Sequence, residues 1–348
     1  MVHRRRRPAH PRRLGDAGLL GAAAIGLTGS PSGGYAIESD GHGGWTVFAD
    51  GQPQSHVDLA DPGLVTFEYV QHFCLAIASC SPAAPAPLRV THVGGAGLTL
   101  ARWVQHTRPG SPQIVLEPDS ALSAAVRERL PLPRGHRIRV RPVDGRTGVG
   151  ALGSASADVI VLDAYAAGRV PAELVTPAFL TDVARVLAPG GLLLANLADE
   201  PGLRWAARVL ATMAAVDGLG GVGGLGGLDE VGGLGGLGGL AILSTHDVLK
   251  GRRFGNVVAV ASRVVGGRTP PGRSSTPPPA STPTLTTLED SPRLDLGVLQ
   301  RATASAPIPT GLRTGPDLAR LLAGARPFTD ANAQPSPAPP EPGAWRVR

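Results

Sequence analysis

The sequence predicts an α/β protein whose mainly parallel sheet is covered by helices on both faces. Three observations carry that expectation. From residue 88 onward, short apolar runs alternate with segments of helical period, the signature of strand–helix–strand units. Gly94-Gly95-Ala96-Gly97 follows one apolar run and opens a helical segment. Glu117, Asp144 and Asp163 end three of the predicted strands, at the edge where open α/β sheets bind ligands.

In chain order, residues 35–57 read as short strands joined by tight turns, with Gly-His-Gly-Gly at 41–44 and Asp50-Gly51 as turn signals. This is a small antiparallel element. Residues 64–80 suit a helix, since Leu64, Phe67, Val70, Cys74 and Ile77 fall near one face, and Pro82, Pro85 and Pro87 stop it. Strands are expected at 88–93, 113–117, 137–143, 158–163, 192–197, 240–245 and 256–262. Helices are expected from the Gly turn to about 106 and at 120–129, 173–187 and 202–215. Residues 217–239 repeat Leu-Gly-Gly. Glycine loses too much entropy to hold such a run in a regular element, so a flexible insertion is expected. Residues 1–34 read as a flexible basic arm, and residues 264–348, rich in Pro, Ser and Thr, as a mostly disordered tail with one short helix at 316–324. The domain plan is therefore an arm (1–34), a β element (35–63), a cofactor-binding domain (64–263) and a tail (264–348).

Composition excludes several classes. The chain has 348 residues and a formal net charge of +6. Arg4, Arg5, Arg6, Arg7, Arg12 and Arg13 account for all of it, so the rest is balanced and a nucleic-acid-binding face is not expected. Cys74 and Cys80 fit neither a zinc pattern nor a disulfide framework, and the nine His are scattered. Two free thiols and no metal follow. Arginines followed by Ala17–Leu27 have the outline of a secretion signal, but Asp16, frequent Gly and the lack of an A-x-A site argue against one. No apolar run is long enough to span a membrane. A cytoplasmic protein is expected, and a homodimer is compatible with this reading.

The chemistry lies in the Gly turn and the acids. Gly94, Gly95 and Gly97 let backbone approach a ligand closely at a helix N-terminus. Glu117, about twenty residues on, suits a ribose diol. Asp144, followed by Gly145, suits an adenine amino group, and Asp163 ends the most apolar strand. Glu117 can also serve only to cap the helix that Asp119 opens, and Asp163 only to cap the next turn.

Over roughly residues 45–263 these motifs resemble the spermidine synthase family of aminopropyltransferases, within the class I methyltransferase-like fold. Asp50-Gly51-Gln52-Pro53-Gln54 resembles that family's DGxxQ turn, and Phe67-Glu68-Tyr69 its EFxYxE helix. VTHVGGAG resembles the GGGDGG turn, Glu117-Pro118-Asp119 the EID motif and Asp144-Gly145 the GDG motif. DVIVLDAYAAGRVP (158–171) resembles DVIIxDxxDPxGP, and Arg253-Phe254-Gly255-Asn256 a late aromatic-Gly motif. The resemblance implies a Rossmann-like seven-stranded methyltransferase sheet with a small N-terminal β element and disordered tails. It implies S-adenosylmethionine or its decarboxylated form as cofactor, held by Gln54, Gly94, Gly95, Gly97, Glu117, Asp144 and Gly145. It implies Asp163 as the proton acceptor, with Tyr69 and Tyr165 positioning a small-molecule amine or other acceptor.

Three departures remove negative charge. Gly97 stands where the family has an acid that holds the aminopropyl amine, Ala166 where it has a second Asp, and Gln71 where it has a Glu. On this reading aminopropyl transfer stands beside two alternatives, an S-adenosylmethionine-dependent methyltransferase and a non-catalytic member of the family. Gly97 in place of the acid favours S-adenosylmethionine over the decarboxylated form.

Overall fold

The computed structural model describes residues 28–30, 33–49, 51–219, 239–263 and 293–340. Most of the basic arm, Asp50, nearly all of the Gly-rich insertion, the stretch 264–292 and the last eight residues lie outside the described residues.

The chain opens with a four-stranded antiparallel sheet of β1 (Thr28–Ser30), β2 (Gly33–Ser39), β3 (Gly44–Ala49) and β4 (Gln52–Asp58). The arm expected to run to residue 34 therefore gives way to strand earlier, because Thr28 and Gly29 pair with Tyr35 and Gly34. Then follow α1 (Glu68–Ala78), β5 (Cys80–Ser81), β6 (Val90–Val93), α2 (Thr99–Thr107), β7 (Gln113–Leu116), α3 (Ser120–Arg129) and β8 (Ile138–Arg141). After these come α4 (Gly145–Gly150), β9 (Ala157–Leu162), α5 (Pro177–Val186), β10 (Leu187–Asp199), α6 (Arg204–Ala215), β11 (Leu240–Thr245), α7 (His246–Leu249) and β12 (Gly255–Ser262). The C-terminal part contributes β13 (Arg293–Leu294), α8 (Leu296–Ala304), β14 (Thr310–Arg313) and α9 (Gly315–Leu322).

The central sheet has eight strands in the order β14-β11-β12-β10-β9-β6-β7-β8. The five from β10 to β8 are parallel, and β12, β11 and β14 add on in antiparallel pairs. The order reverses between β9 and β6, so a crevice opens at their carboxyl ends. Both faces are buried, which explains the continuous apolar runs. On β9, Ile160 and Leu162 enter one core with α5, α6 and α9, while Val159 and Val161 enter the other with α1 and α8. A third cluster joins Ile37, Val47 and Val57 of the N-terminal sheet to Leu98, Val115, Leu122 and Ile138. That cluster fixes the small sheet over the β6–β8 end of the large one. Cys74 and Cys80 are free and buried, and burial pushes the Cys80 thiol up to about 12.

Some boundaries differ from expectation. The helix expected over 173–187 is divided, because Pro177 tolerates only a first-turn position. A 3₁₀ turn at Ala172–Leu174 precedes α5, whose start is capped by Thr176 accepting from Phe179 N at 3.2 Å. Pro189-Gly190-Gly191 falls within β10, at the register shift between Leu187 and Leu192.

The larger correction concerns the tail. Residues 293–340 are folded, and β14 supplies an eighth strand where seven were expected. β14 pairs with β11, Leu243 opposite Leu312. Leu299, Leu318, Leu322 and Phe328 are buried. The Arg208 guanidinium lies 3.9 Å from the Phe328 ring centre. Beyond α9 the folded body holds the Pro-rich chain through its amides and its carbonyls: Phe328 N donates to Thr212 Oγ1 at 2.8 Å and Ser336 N to Val170 O at 3.1 Å. Trp205 Nε1 donates to Gln334 O at 2.9 Å and Arg169 Nε to Ser336 O at 2.5 Å. An average over Pro and Ser masked these spaced apolar anchors. Among the described residues, no helix is long and apolar enough to cross a membrane.

Candidate active site

A cavity of about 460 Å³ opens at the carboxyl ends of β9, β6, β7 and β8, under Gln54 and Ser55 of β4 and Tyr69 of α1. Of the ten sequence-predicted site residues, nine line it: Gln54, Tyr69, Gly94, Gly95, Glu117, Asp144, Gly145, Asp163 and Tyr165.

The Gly turn is built by close approach. Gly94 has φ of 94°, and a Cβ there would strike the Asp163 carbonyl. Only glycine serves at that position. Backbone bonds Gly94 N to Leu116 O and Asp163 N to Val93 O, both 2.9 Å, clamp the turn between β7 and β9. A Cβ at Gly145 would run into Val93, so this glycine lets the start of α4 pack onto β6.

Gly97 is the exception. It is buried and turned away from the cavity, with its N–H donating to Ser55 Oγ at 3.1 Å. A Cβ there would stand 2.8 Å from Ser55 Cβ and 3.2 Å from Val47 Cγ2. The sequence placed position 97 at the ligand, where an acid would select the cofactor form. In the fold it faces the N-terminal sheet, because Val47 and Val57 pack over α2. We expect Gly97→Asp to bury an unpaired carboxylate and to cost roughly 3–5 kcal/mol. Thermal melting checks this, and an unchanged midpoint would show that the position opens to solvent.

Glu117 is more committed than its spacing suggests. Oε2 accepts from Gly95 N at 2.9 Å and Ala96 N at 3.4 Å, and Oε1 accepts from Asp119 N at 3.0 Å. An ionised carboxylate has about four acceptor sites. Three shape the turn, and one is left for a ligand hydroxyl rather than the two that a ribose diol would use. Asp144 caps α4, accepting from Thr147 N at 2.8 Å, and that backbone bond holds its carboxyl below the usual range.

At the β9 end, Asp163 faces the cavity. Burial raises its pKa to about 6, against the opposing pull of hydrogen bonds from Asn196 and Tyr69. Asn196 Nδ2 donates to Asp163 Oδ1 at 3.0 Å, and Tyr165 Oη donates to Asn196 O at 3.4 Å. Burial, and then the Asp163 charge, push both tyrosines well above the ordinary phenol value, so they remain O–H donors. The Tyr69 ring is held between Phe67, 6.1 Å away and stacked, and Phe73, 6.0 Å away and edge-on. Asn196 escaped the sequence reading. Its signal was a lone amide in the wholly apolar run 192–197, since a buried polar group needs a partner. Among the described residues, no cluster of three or more His, Cys, Asp or Glu is arranged to hold a metal.

No family model matches the chain, and no curated protein matches it. Solved structures do. A crystal structure described as a probable spermidine synthase from Corynebacterium glutamicum aligns with TM-score 0.67 and 25% identity, over 88% of this chain and 96% of that one. Spermidine synthase from Thermotoga maritima aligns with TM-score 0.48 and 18% identity, over 69% and 72%. Human methyltransferase-like protein 13, solved in complex with SAH, aligns with TM-score 0.41 and 20% identity, over 76% and 96%.

Proposed function

We propose that the chain is a spermidine synthase-like member of the class I S-adenosylmethionine-dependent methyltransferase-like superfamily, a transferase moving a carbon group from an adenosyl-sulfonium cofactor to an amine; the likeness to the probable spermidine synthase supports this reading. The observation that carries this reading is Asp163. It is a carboxylate at the cavity floor, oriented by Asn196 and Tyr69, with a pKa raised to about 6. A base poised near neutrality suits proton removal from an attacking amine.

The donor set fits such a cofactor. Four strand ends lie side by side at about 4.8 Å spacing, so the row from β9 to β8 spans about 14 Å, enough for an extended nucleoside with its thio substituent. Glu117 has one acceptor site left for a ribose hydroxyl, and Asp144 lies at the far end for the base amine. When bound, the cofactor supplies an electrophilic carbon beside sulfur, and displacement leaves a neutral thioether. The protein's part is to align the amine between Tyr69 and Tyr165 and to receive its proton at Asp163.

Aminopropyl transfer is the first reading. Methyl transfer is the second, favoured by one observation. Among Tyr69 and residues 163–167 Asp163 is the single carboxylate, and the other acids lining the cavity are Glu117, Asp119, Asp144 and Glu173. A carboxylate acting as base cannot also neutralise a second amine of the cofactor.

Calorimetry with S-adenosylmethionine, its decarboxylated form and 5′-methylthioadenosine tests the proposal, followed by mass analysis of products with a diamine panel. We expect binding, and we expect Glu117→Ala and Asp144→Ala each to weaken it by about 1–3 kcal/mol. If none of the three ligands binds the wild-type chain, the proposal is wrong.

A further inference from the structure

Arg146 is the one arginine or lysine among the described residues that line the cavity. Among the described residues its guanidinium has no hydrogen-bond or ion-pair partner, and Nη1 is buried. The two buried arginines behave differently. Arg108 donates to the carbonyls of Pro82, Ala86, Ile77 and Cys80, and Arg102 to those of Gly97, Leu130 and Pro131. A buried donor without an acceptor is costly, and here the open space beside it is a ligand cavity.

Position limits what the ligand offers there. Arg146 is the second residue of α4, directly after β8, and Asp163 follows β9, three strands away. At strand spacing the two lie about 14 Å apart. Coulomb repulsion falls with separation, so over that distance the arginine charge opposes a sulfonium at the Asp163 end only weakly. The sulfonium end and the base end are therefore served by different residues, and Arg146 belongs to the base end with Asp144. Adenine presents an amino donor flanked by ring-nitrogen acceptors. An acceptor at Asp144 and a donor at Arg146, two residues apart, match that pattern. Hypoxanthine, with a carbonyl in place of the amine, would set an acceptor against the Asp144 carboxylate.

Resting on the adenosyl reading above, the geometry points to Arg146 as a base-reading residue that donates from its guanidinium to a ring nitrogen of the purine.

The test is calorimetry with 5′-methylthioadenosine and its 1-deaza, 3-deaza and 7-deaza analogues, on wild-type protein and on Arg146→Met, which keeps the aliphatic stem. A hydrogen bond to a charged donor corresponds to about tenfold or more in affinity. We expect Arg146→Met to lose about that much for methylthioadenosine, and one deaza analogue to lose as much on the wild type. The losses should not add, so that analogue and parent bind the variant equally, as for two changes to one contact. The proposal is overturned if Arg146→Met keeps wild-type affinity, or if the deaza loss persists undiminished in the variant. Should the variant not fold, the analogues on wild type decide, and equal affinity for all three overturns the proposal. Failure of the wild type to bind methylthioadenosine is a different outcome, which overturns the adenosyl reading and this proposal with it.

Discussion

Asp163→Asn is expected to slow transfer by about 10²–10⁴-fold, the range for removing a positioned general base. The amide keeps the shape and can still meet Asn196, but it cannot take a proton. Activity of the unmodified protein should rise with pH through about 6, where Asp163 ionises, and then level off. The same substitution should stabilise the fold at neutral pH. A carboxyl whose pKa is raised on folding holds its proton more tightly in the native state, so stability falls as pH rises from about 4 to about 6 and stays lower above that. Removing that charge should return about 1–3 kcal/mol at pH 8 and almost nothing at pH 4. Melting curves of both proteins at the two pH values check the sign. A variant of full activity, or one no more stable at pH 8 than at pH 4 relative to wild type, would remove Asp163 from the base role.

Truncation after residue 292 is expected to abolish the cooperative fold. The deleted part includes Leu299, Leu318, Leu322 and Phe328, all buried. At about 1.5–3 kcal/mol for each large apolar side chain, their loss amounts to roughly 6–12 kcal/mol. A domain's net stability is about 5–15 kcal/mol. Removing β14 also strips β11 of its partner and leaves an unpaired apolar edge, which invites aggregation. The measurement is a thermal melt by circular dichroism with a solubility assay. A truncated chain that melts cooperatively within a few degrees of the full one would show that 293–340 only decorates the surface.

Much of the architecture was legible in the chain because it depends on local pattern. The apolar runs of β9, β10 and β12 are continuous because both their faces are covered. Asp119 announces α3 by capping it, accepting from Leu122 N at 2.8 Å. The Gly turn is legible at Gly94, whose positive φ no other residue adopts comfortably. Less was legible where contacts are distant in sequence. Ser336 accepts from Val170 N at 2.9 Å across 166 positions, and nothing local marks either residue as a partner.

The sequence by itself determined the order of strands and helices, the crevice at the carboxyl ends and the set of acids at its rim, because periodicity and strand ends are properties of neighbours along the chain. Only the tertiary structure decided which way each candidate faces and what it already holds. Gly97 turned toward Val47 and Val57, Glu117 was drawn into bonds with three backbone amides, Asn196 was brought to Asp163, and Arg146 was left in the cavity without a partner among the described residues. The physical reason is that burial and hydrogen bonding are settled between elements, by how the N-terminal sheet and α4 pack on the central sheet, and no spacing along one segment encodes that contact.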